Sequence, residues 1–306
     1  MGKAGTGEIG VLISGTMMFQ RADPNASDAN LGSFYGLALP LVKHGVPVEP
    51  VQIESATAAG FLKAYKLLML TYEGQKPPTP EFLDALANRL RDGGALVVID
   101  DDGDPYNAVR EWWNTAPLSY GTPRQHLFGK LGIPKDAIGL HKVGKGVVWR
   151  EALSPAALTY KKDGSETIRR IARQAAAAVK LPWKESYSLV LRRGPYIVVA
   201  GLDESVPDAK PYVLRGRYLN LFDPDLPVLN TVTVTAGVRM LVDLNWTKAT
   251  VPTIVAASCR LRDEKVDGKT LQFRADGIEG TNSIVAARRA PVEILIGGRP
   301  GGALDV

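Results

Sequence analysis

Phe82 to Asp100 reads FLDALANRLRDGGALVVID: a helix, a glycine pair and a strand in direct succession. Thr79 is placed as N-cap of a helix over Pro80–Arg91, with Pro80 at its first position and Glu81 in its first turn. A hydroxyl there serves an orphan helix amide, and proline's fixed φ suits the first turn. Gly93-Gly94 ends the helix, because glycine can leave it in a left-handed conformation and turn straight into a strand. Ala95–Ile99 (ALVVI) is that strand. Its unbroken apolar run is the mark of a parallel strand buried on both faces.

The same grammar extends toward the N-terminus. Ile9–Ile13 (IGVLI) is a first buried strand, followed by a polar loop from Gln20 to Asn30. Leu31–His44 sets Phe34, Leu37, Leu41 and Val42 at helical spacing, and Gly45 stops it. Pro47–Ile53 is a second strand and Leu67–Thr71 a third. Strand, helix, strand, strand, helix, strand is a doubly wound α/β pattern. Beyond Asp104 it thins: Val109–Trp113 reads as a short helix, Gly146–Trp149 as a strand, and Ser165–Val179 as a helix that ends before Pro182.

From Pro182 the texture changes to short strands separated by turn residues. The expected strands are Tyr187–Arg192, Tyr196–Leu202, Arg215–Asn220, Thr231–Val234, Arg239–Leu244, Thr253–Leu261, Thr270–Ala275, Ser283–Ala287 and Val292–Ile296. Regular short strands with such punctuation read as an all-β sandwich. The expected domains are therefore residues 1–181, α/β, and 182–306, all-β.

Composition sets limits. The chain has 306 residues, 45% hydrophobic and 23% charged, with a net charge of +5. That is ordinary for globular domains and argues against disorder. The densest basic cluster, Arg169, Arg170 and Arg173, falls on a predicted helix and reads as a solvated face, so no nucleic-acid partner is expected. A single cysteine, Cys259, excludes an internal disulfide and a cysteine zinc site, and it is expected to be a buried, inert thiol in a strand. No apolar run reaches about 18 residues, so no membrane-spanning helix is expected. Met1–Gly7 lacks the apolar core of a signal peptide and reads as a lead-in or a cut point, which leaves localisation open between bacterial cytoplasm and secretion.

Catalytic signatures are weak. The turn after Leu67–Thr71, where a nucleophile elbow is expected, reads Tyr72-Glu73-Gly74-Gln75 and holds no cysteine. Ser14 and Ser258 are isolated and no G-x-S-x-G occurs. His44, His126 and His141 read as surface or capping residues at a helix end or in loops. No G-x-G-x-x-G follows the first strand, and no P-loop is present. The most unusual feature is Asp100-Asp101-Asp102-Gly103-Asp104, after the fourth strand, on the edge where open α/β sheets bind ligands. Asp100, Asp102 and Asp104 are the candidate metal ligands, with Ca²⁺ the cation that carboxylates suit. The bland alternative is a solvated turn whose aspartate caps a helix near Val109. Tyr106, Trp112, Trp113 and Tyr120 follow closely. With Asp104 they are candidates for a sugar contact, an interface or core packing.

Three segments, KHGVPVEPV (Lys43–Val51), AYKLLML (Ala64–Leu70) and Phe82–Asp100, resemble the middle, trimerisation domain of family 42 β-galactosidases, whose fold is shared with class I glutamine amidotransferases. GPYIVVAGLDES (Gly194–Ser205), GRYLNLFDPDLPVL (Gly216–Leu229) and AASCRLRDEKVDGKTLQF (Ala256–Phe273) look like the C-terminal β-domain of similar glycosidases. The resemblance implies a flavodoxin-like, glutamine amidotransferase-like domain followed by a β-sandwich. In such enzymes a (β/α)8 barrel of about 250 residues holds the catalytic acids, and this sequence contains no barrel. The leading reading is thus a non-catalytic accessory region, serving oligomerisation and active-site shaping, with copies of itself or a barrel as partner and no cofactor. The alternatives are a carbohydrate-binding protein using the aromatic and acidic loop, and a standalone metal-assisted hydrolase.

Overall fold

The computed structural model describes residues 8–18, 31–246, 249–288, 295–296 and 299–300. The expected loop Gln20–Asn30, the lead-in Met1–Gly7 and most of the expected strand Val292–Ile296 lie outside them. The chain separates into two compact units that divide between Leu189 and Val190; the sequence texture changes at 181.

The first unit is a mixed α/β layer structure. Strands β1 (Ile9–Ile13), β2 (Glu49–Gln52), β3 (Leu67–Leu70), β4 (Ala95–Ile99), β5 (Gly139–Val143) and β6 (Gly146–Glu151) form one sheet in the order β2-β1-β3-β4-β6-β5. All neighbours are parallel except the edge strand β5, which runs antiparallel to β6. Strand side chains alternate between faces, and the buried set follows that rule. Leu12, Leu68, Leu70, Leu96, Val98 and Val148 pack on one face against helices α2 (Glu81–Arg91) and α3 (Pro123–Leu131). Val11, Leu67, Met69, Val97, Ile99 and Val147 pack on the other, against α1 (Gly32–Val42), α4 (Pro155–Leu158) and α5 (Gly164–Ala178). Every residue of β3 and β4 is buried, which explains their continuous apolar sequence. Gly93, at φ +114°, carries the chain from α2 into β4.

Several expectations need correction. Helix α2 starts at Glu81, and its N-cap position is Pro80 without a side-chain cap, not Thr79. The Thr79 side chain instead bonds the Glu81 carboxylate. The expected helix Val109–Trp113 is absent. Asp104 caps a 3-10 turn over Pro105–Ala108, and the Glu111 amide donates to Asn114 Oδ1 in a turn of its own. Helices α3 and α4 and strand β5 lie where the sequence pattern thinned.

The second unit is a separate antiparallel region. Strands β7 (Ser188–Arg193), β8 (Tyr196–Gly201), β9 (Tyr212–Asn220), β10 (Val228–Val234) and β11 (Val238–Asp243) form a sheet in the order β10-β9-β11-β8-β7. Its ladders from β10 through β8 are antiparallel. One face gathers Ile197, Val199, Tyr218, Val232, Val234 and Leu241, and the other gathers Leu219 and Val242. These last pack with Ala286 of the pair β12 (Thr253–Ala257) and β15 (Val285–Arg288). A further hairpin joins β13 (Arg260–Asp267) to β14 (Thr270–Asp276). The single strand expected over Thr253–Leu261 is therefore two. Cys259 sits at the bend between them, half-buried rather than buried in a strand.

Candidate functional site

In an open α/β sheet the ligand crevice lies at the carboxyl ends of the strands, where the strand order reverses. Here that point lies between β1 and β3. Four loops meet around it: Ser14–Met18 after β1, Ile53–Ser55 after β2, Thr71–Pro77 after β3 and Asp100–Ala108 after β4.

The crevice is closed by the chain's own polar groups. Gln75, fully buried, accepts from the Ser14 amide (2.7 Å) and donates to the carbonyls of Leu12 (3.1 Å) and Thr71 (3.0 Å). Ser14 is not isolated, since its hydroxyl donates to Glu54 Oε1 at 2.7 Å. The Thr16 hydroxyl donates to the Lys76 carbonyl (2.7 Å) and accepts from the Lys76 amide (2.9 Å). Each such bond satisfies a group whose burial without a partner would cost about 1–3 kcal/mol.

The position expected for a nucleophile holds a structural acid. Gly74, at φ +73°, turns the chain after β3, and no helix begins until Glu81. Glu73 accepts from the Ser154 hydroxyl (2.8 Å) and the Ala156 amide (3.3 Å), so its carboxylate caps α4.

The acidic run is drawn inward rather than solvated. Asp104 accepts from Lys76 Nζ (2.7 Å), the Gly74 amide (2.7 Å) and the Tyr106 amide (2.9 Å). Lys76 is 1% exposed and also donates to the Tyr72 carbonyl. Burial pulls the Lys76 ammonium below its usual range, and its bond to Asp104 opposes that. Burial pushes Asp104 up, but Lys76 and the two amides outweigh it and hold the carboxyl below the ordinary range. Asp102 receives a two-pronged contact from Arg124 (Nε at 2.9 Å, Nη2 at 2.5 Å) and a third from Arg150 Nη2 (3.0 Å). Asp100, 2% exposed, accepts from the amides of Tyr72 (3.2 Å) and Asp102 (2.8 Å). Burial pushes its carboxyl up to about 6, against the bond from the Asp102 amide. Only Asp101 and Gly103 of the run are exposed. Among the described residues no group of three His, Cys, Asp or Glu side chains converges as a metal cage.

The aromatic candidates form a packed cluster beside this edge. Trp113 is 1% exposed; it meets Tyr106 edge-on at 6.1 Å and Trp112 at 5.5 Å. Trp112 is half-buried and donates its Nε1 to the Pro77 carbonyl (2.9 Å). His126, expected at the surface, lies inside α3 and is buried. Its ring sits 5.3 Å from Trp112 and 4.9 Å from Tyr120. His141 lies in β5, where its Nε2 is 3.0 Å from the Ile138 carbonyl, and His44 Nδ1 is 3.0 Å from the Pro40 carbonyl. The sequence reading singles out the acidic and aromatic loop but not Gln75, which fills the crevice, nor Lys76, Arg124 and Arg150, which the structure sets against that loop. Of these only Arg150 carried a signal, as a charge that directly follows the apolar run Val147–Trp149.

No family model matches the chain, and no curated protein matches it. Among solved structures, it is similar to a β-galactosidase from Rahnella sp. R3 over 78% of its own length and 41% of the other, at 13% identity and TM-score 0.42. A GH42 β-galactosidase from G. stearothermophilus matches over 77% and 40%, at 14% identity and TM-score 0.43. A GH42 exo-carrageenase from Bacteroides ovatus matches over 78% and 29%, at 10% identity and TM-score 0.35. The chain spans less than half the length of each of these enzymes.

Proposed function

We propose that this chain is a non-catalytic region of a glycoside hydrolase: a flavodoxin-like, glutamine amidotransferase-like domain followed by a β-sandwich. Its role is oligomerisation and the shaping of an active site carried by a (β/α)8 barrel. The observation that carries the non-catalytic half is the filled crevice: Gln75 and Lys76 occupy the switch point, and Glu73 caps α4. A site that binds and turns over substrate needs a concave pocket on which polar groups converge, and here the chain's own side chains fill that place. The link to glycoside hydrolases comes from the sequence segments Lys43–Val51, Ala64–Leu70 and Phe82–Asp100. Oligomerisation is favoured by Ile138 and Leu140, which are 49% and 46% exposed on and beside edge strand β5. Exposed apolar side chains beside a sheet edge are what a second chain can cover, although Lys142 on the same strand works against edge-to-edge strand pairing.

The carbohydrate-binding alternative needs an exposed aromatic platform in the Tyr106–Tyr120 loop, and burial of Trp113 counts against it. The metal-assisted hydrolase needs free carboxylates, whereas Asp102 and Asp104 face Arg124, Arg150 and Lys76.

Sedimentation velocity of the chain alone, and mixed with a family 42 barrel, tests the reading. A stable oligomer or a complex with the barrel is expected, without turnover of a nitrophenyl β-galactoside by the chain itself. A monomer that ignores the barrel would overturn it and bring carbohydrate binding to the front.

A further inference from the structure

The outermost strands of a sheet leave one row of backbone N–H and C=O groups without partners, and natural proteins blunt such edges with charge, proline, a bulge or a covering segment. The two larger sheets have four edge strands between them: β2 and β5 in the first unit, β7 and β10 in the second. β2 carries Glu49 and Pro50, β5 carries His141 and Lys142, and β7 ends on Arg192 and Arg193. β10, Val228–Val234, reads VLNTVTV and holds neither a charge nor a proline. Five of its seven residues are β-branched, the type that best suits a pleated strand.

The bulge in its ladder belongs to its neighbour. Leu229 pairs with Tyr218 and Thr231 with Arg215, so Gly216 and Arg217 of β9 stand opposite Asn230 alone. β10 has no extra residue of its own to turn a newcomer away. Among the described residues no backbone hydrogen bond reaches Val228–Val234 from outside β9. Val228, Asn230, Thr231 and Thr233 are exposed, while Val232 and Val234 are buried against the sheet's own cluster.

We propose that β10 pairs antiparallel with β10 of a second copy of this chain, joining two five-stranded sheets into one. A strand related to its copy by a twofold axis in this way is antiparallel by construction, and every contact is made twice. The register that uses the whole strand is centred on Thr231. It sets Thr231 against its own copy, Leu229 against Thr233, Asn230 against Val232 and Val228 against Val234. Directly opposed β-branched and threonine pairs stabilise such a ladder, whereas like charges directly opposed destabilise it. A strand without charge is therefore the edge suited to meet its own copy, and the three charged edges are not. The free edge left at each end of the joined sheet is β7 with its arginines, so growth stops at two copies. The contact lies on the second unit, uses none of the apolar residues beside β5, and does not depend on the glycoside hydrolase reading.

The test is sedimentation equilibrium of the whole chain over a wide concentration range, run in parallel on Leu140→Lys, which charges the apolar surface of the first unit. Leu140→Lys is expected to keep a reversible monomer–dimer equilibrium. On that background Thr231→Lys and, separately, Thr231→Glu oppose like charges at the centre of the ladder, and each weakens dimerisation by about tenfold or more. Thr231 is exposed, so thermal melts stay at the parent value. Mixing the Thr231→Lys and Thr231→Glu chains restores a dimer with one copy of each, a rescue that a folding defect would not give. Dimerisation undiminished in both Thr231 variants, or no rescue on mixing, would overturn the assignment. So would loss of all self-association in Leu140→Lys alone, which would place the contact on the first unit and leave the oligomerisation reading standing; a chain that is monomeric throughout would overturn both.

Discussion

The carboxyl edge of the first unit and the β13–β14 hairpin of the second are both crowded with charge, and they treat it in opposite ways. At the edge the cations are Lys76, 1% exposed, and Arg124, fully buried, each set against an aspartate. On the hairpin Arg262 and Arg274 share Asp276 with side chains 49%, 72% and 33% exposed. Both regions set basic side chains against aspartates. Solvent-exposed pairs contribute about 0–1 kcal/mol. A buried pair gains little over an apolar replacement, yet removing one partner costs about 3–5 kcal/mol because the other charge is stranded. Burial, not the number of ion pairs, decides which of the two regions is sensitive to change.

The largest expected effect follows directly. Asp102→Ala leaves Arg150 without its carboxylate and Arg124 with only the exposed Asp136 at 3.9 Å, and is expected to lower unfolding free energy by about 3–5 kcal/mol in urea titrations. Arg262→Ala is expected to cost about 1 kcal/mol or less. Equal losses would mean that the edge is wet in solution and the contrast false. The apolar residues sharpen the same comparison. Leu96→Ala, in a fully buried strand, is expected to cost about 2–5 kcal/mol. Phe273→Ala, 39% exposed on the hairpin, is expected to cost about 1 kcal/mol or less.

Asp100 gives the edge a pH signature. Its carboxyl is pushed up to about 6 in the fold from an ordinary 3.8, chiefly by burial. The folded state therefore holds the proton more tightly than the unfolded chain. The stabilisation is complete below about pH 4 and is lost as pH rises through about 6, by on the order of 3 kcal/mol. Asp104 is shifted the other way and contributes stability that is lost on acidification. Asp100→Asn removes the first titration alone. Its stability relative to the parent chain is expected to rise by about 2–3 kcal/mol between pH 4 and pH 7; a flat difference would show that Asp100 titrates normally.

How much of this was legible in the sequence depended on whether the signal was local. Strand β4 and the glycines before it could be read because an apolar run, a helix stop and a left-handed turn are each written in adjacent residues. Helix α3 carries the same punctuation, with Thr122 capping, Pro123 at its first position and Gly132 at φ +71°. It was missed because Arg124 and His126 occupy buried positions and interrupt the apolar stripe. The acidic run was legible as a feature but not in its role. Its partners lie 28, 22 and 48 residues away in sequence. Nothing in the local pattern separates a lysine bound for the interior from one bound for solvent. Trp112 and Trp113 illustrate the same limit, since adjacent tryptophans read alike and only packing buries one more than the other.

The smallest expected effect is the absence of one. Asp100, Asp102 and Asp104 are the residues a calcium ion would have to recruit, and it would have to displace Lys76, Arg124 and Arg150 to do so. A ligand that binds only the folded state raises stability by RT ln(1 + [L]/Kd), about 2.7 kcal/mol at a hundredfold excess over Kd. Millimolar calcium is therefore expected to leave the melting temperature of the chain where magnesium or choline chloride at equal ionic strength leaves it. A calcium-specific rise, abolished by Asp102→Asn, would mean that the cations yield the carboxylates. The edge would then be a ligand site held shut by its own side chains, and the metal-assisted hydrolase reading would displace the scaffold.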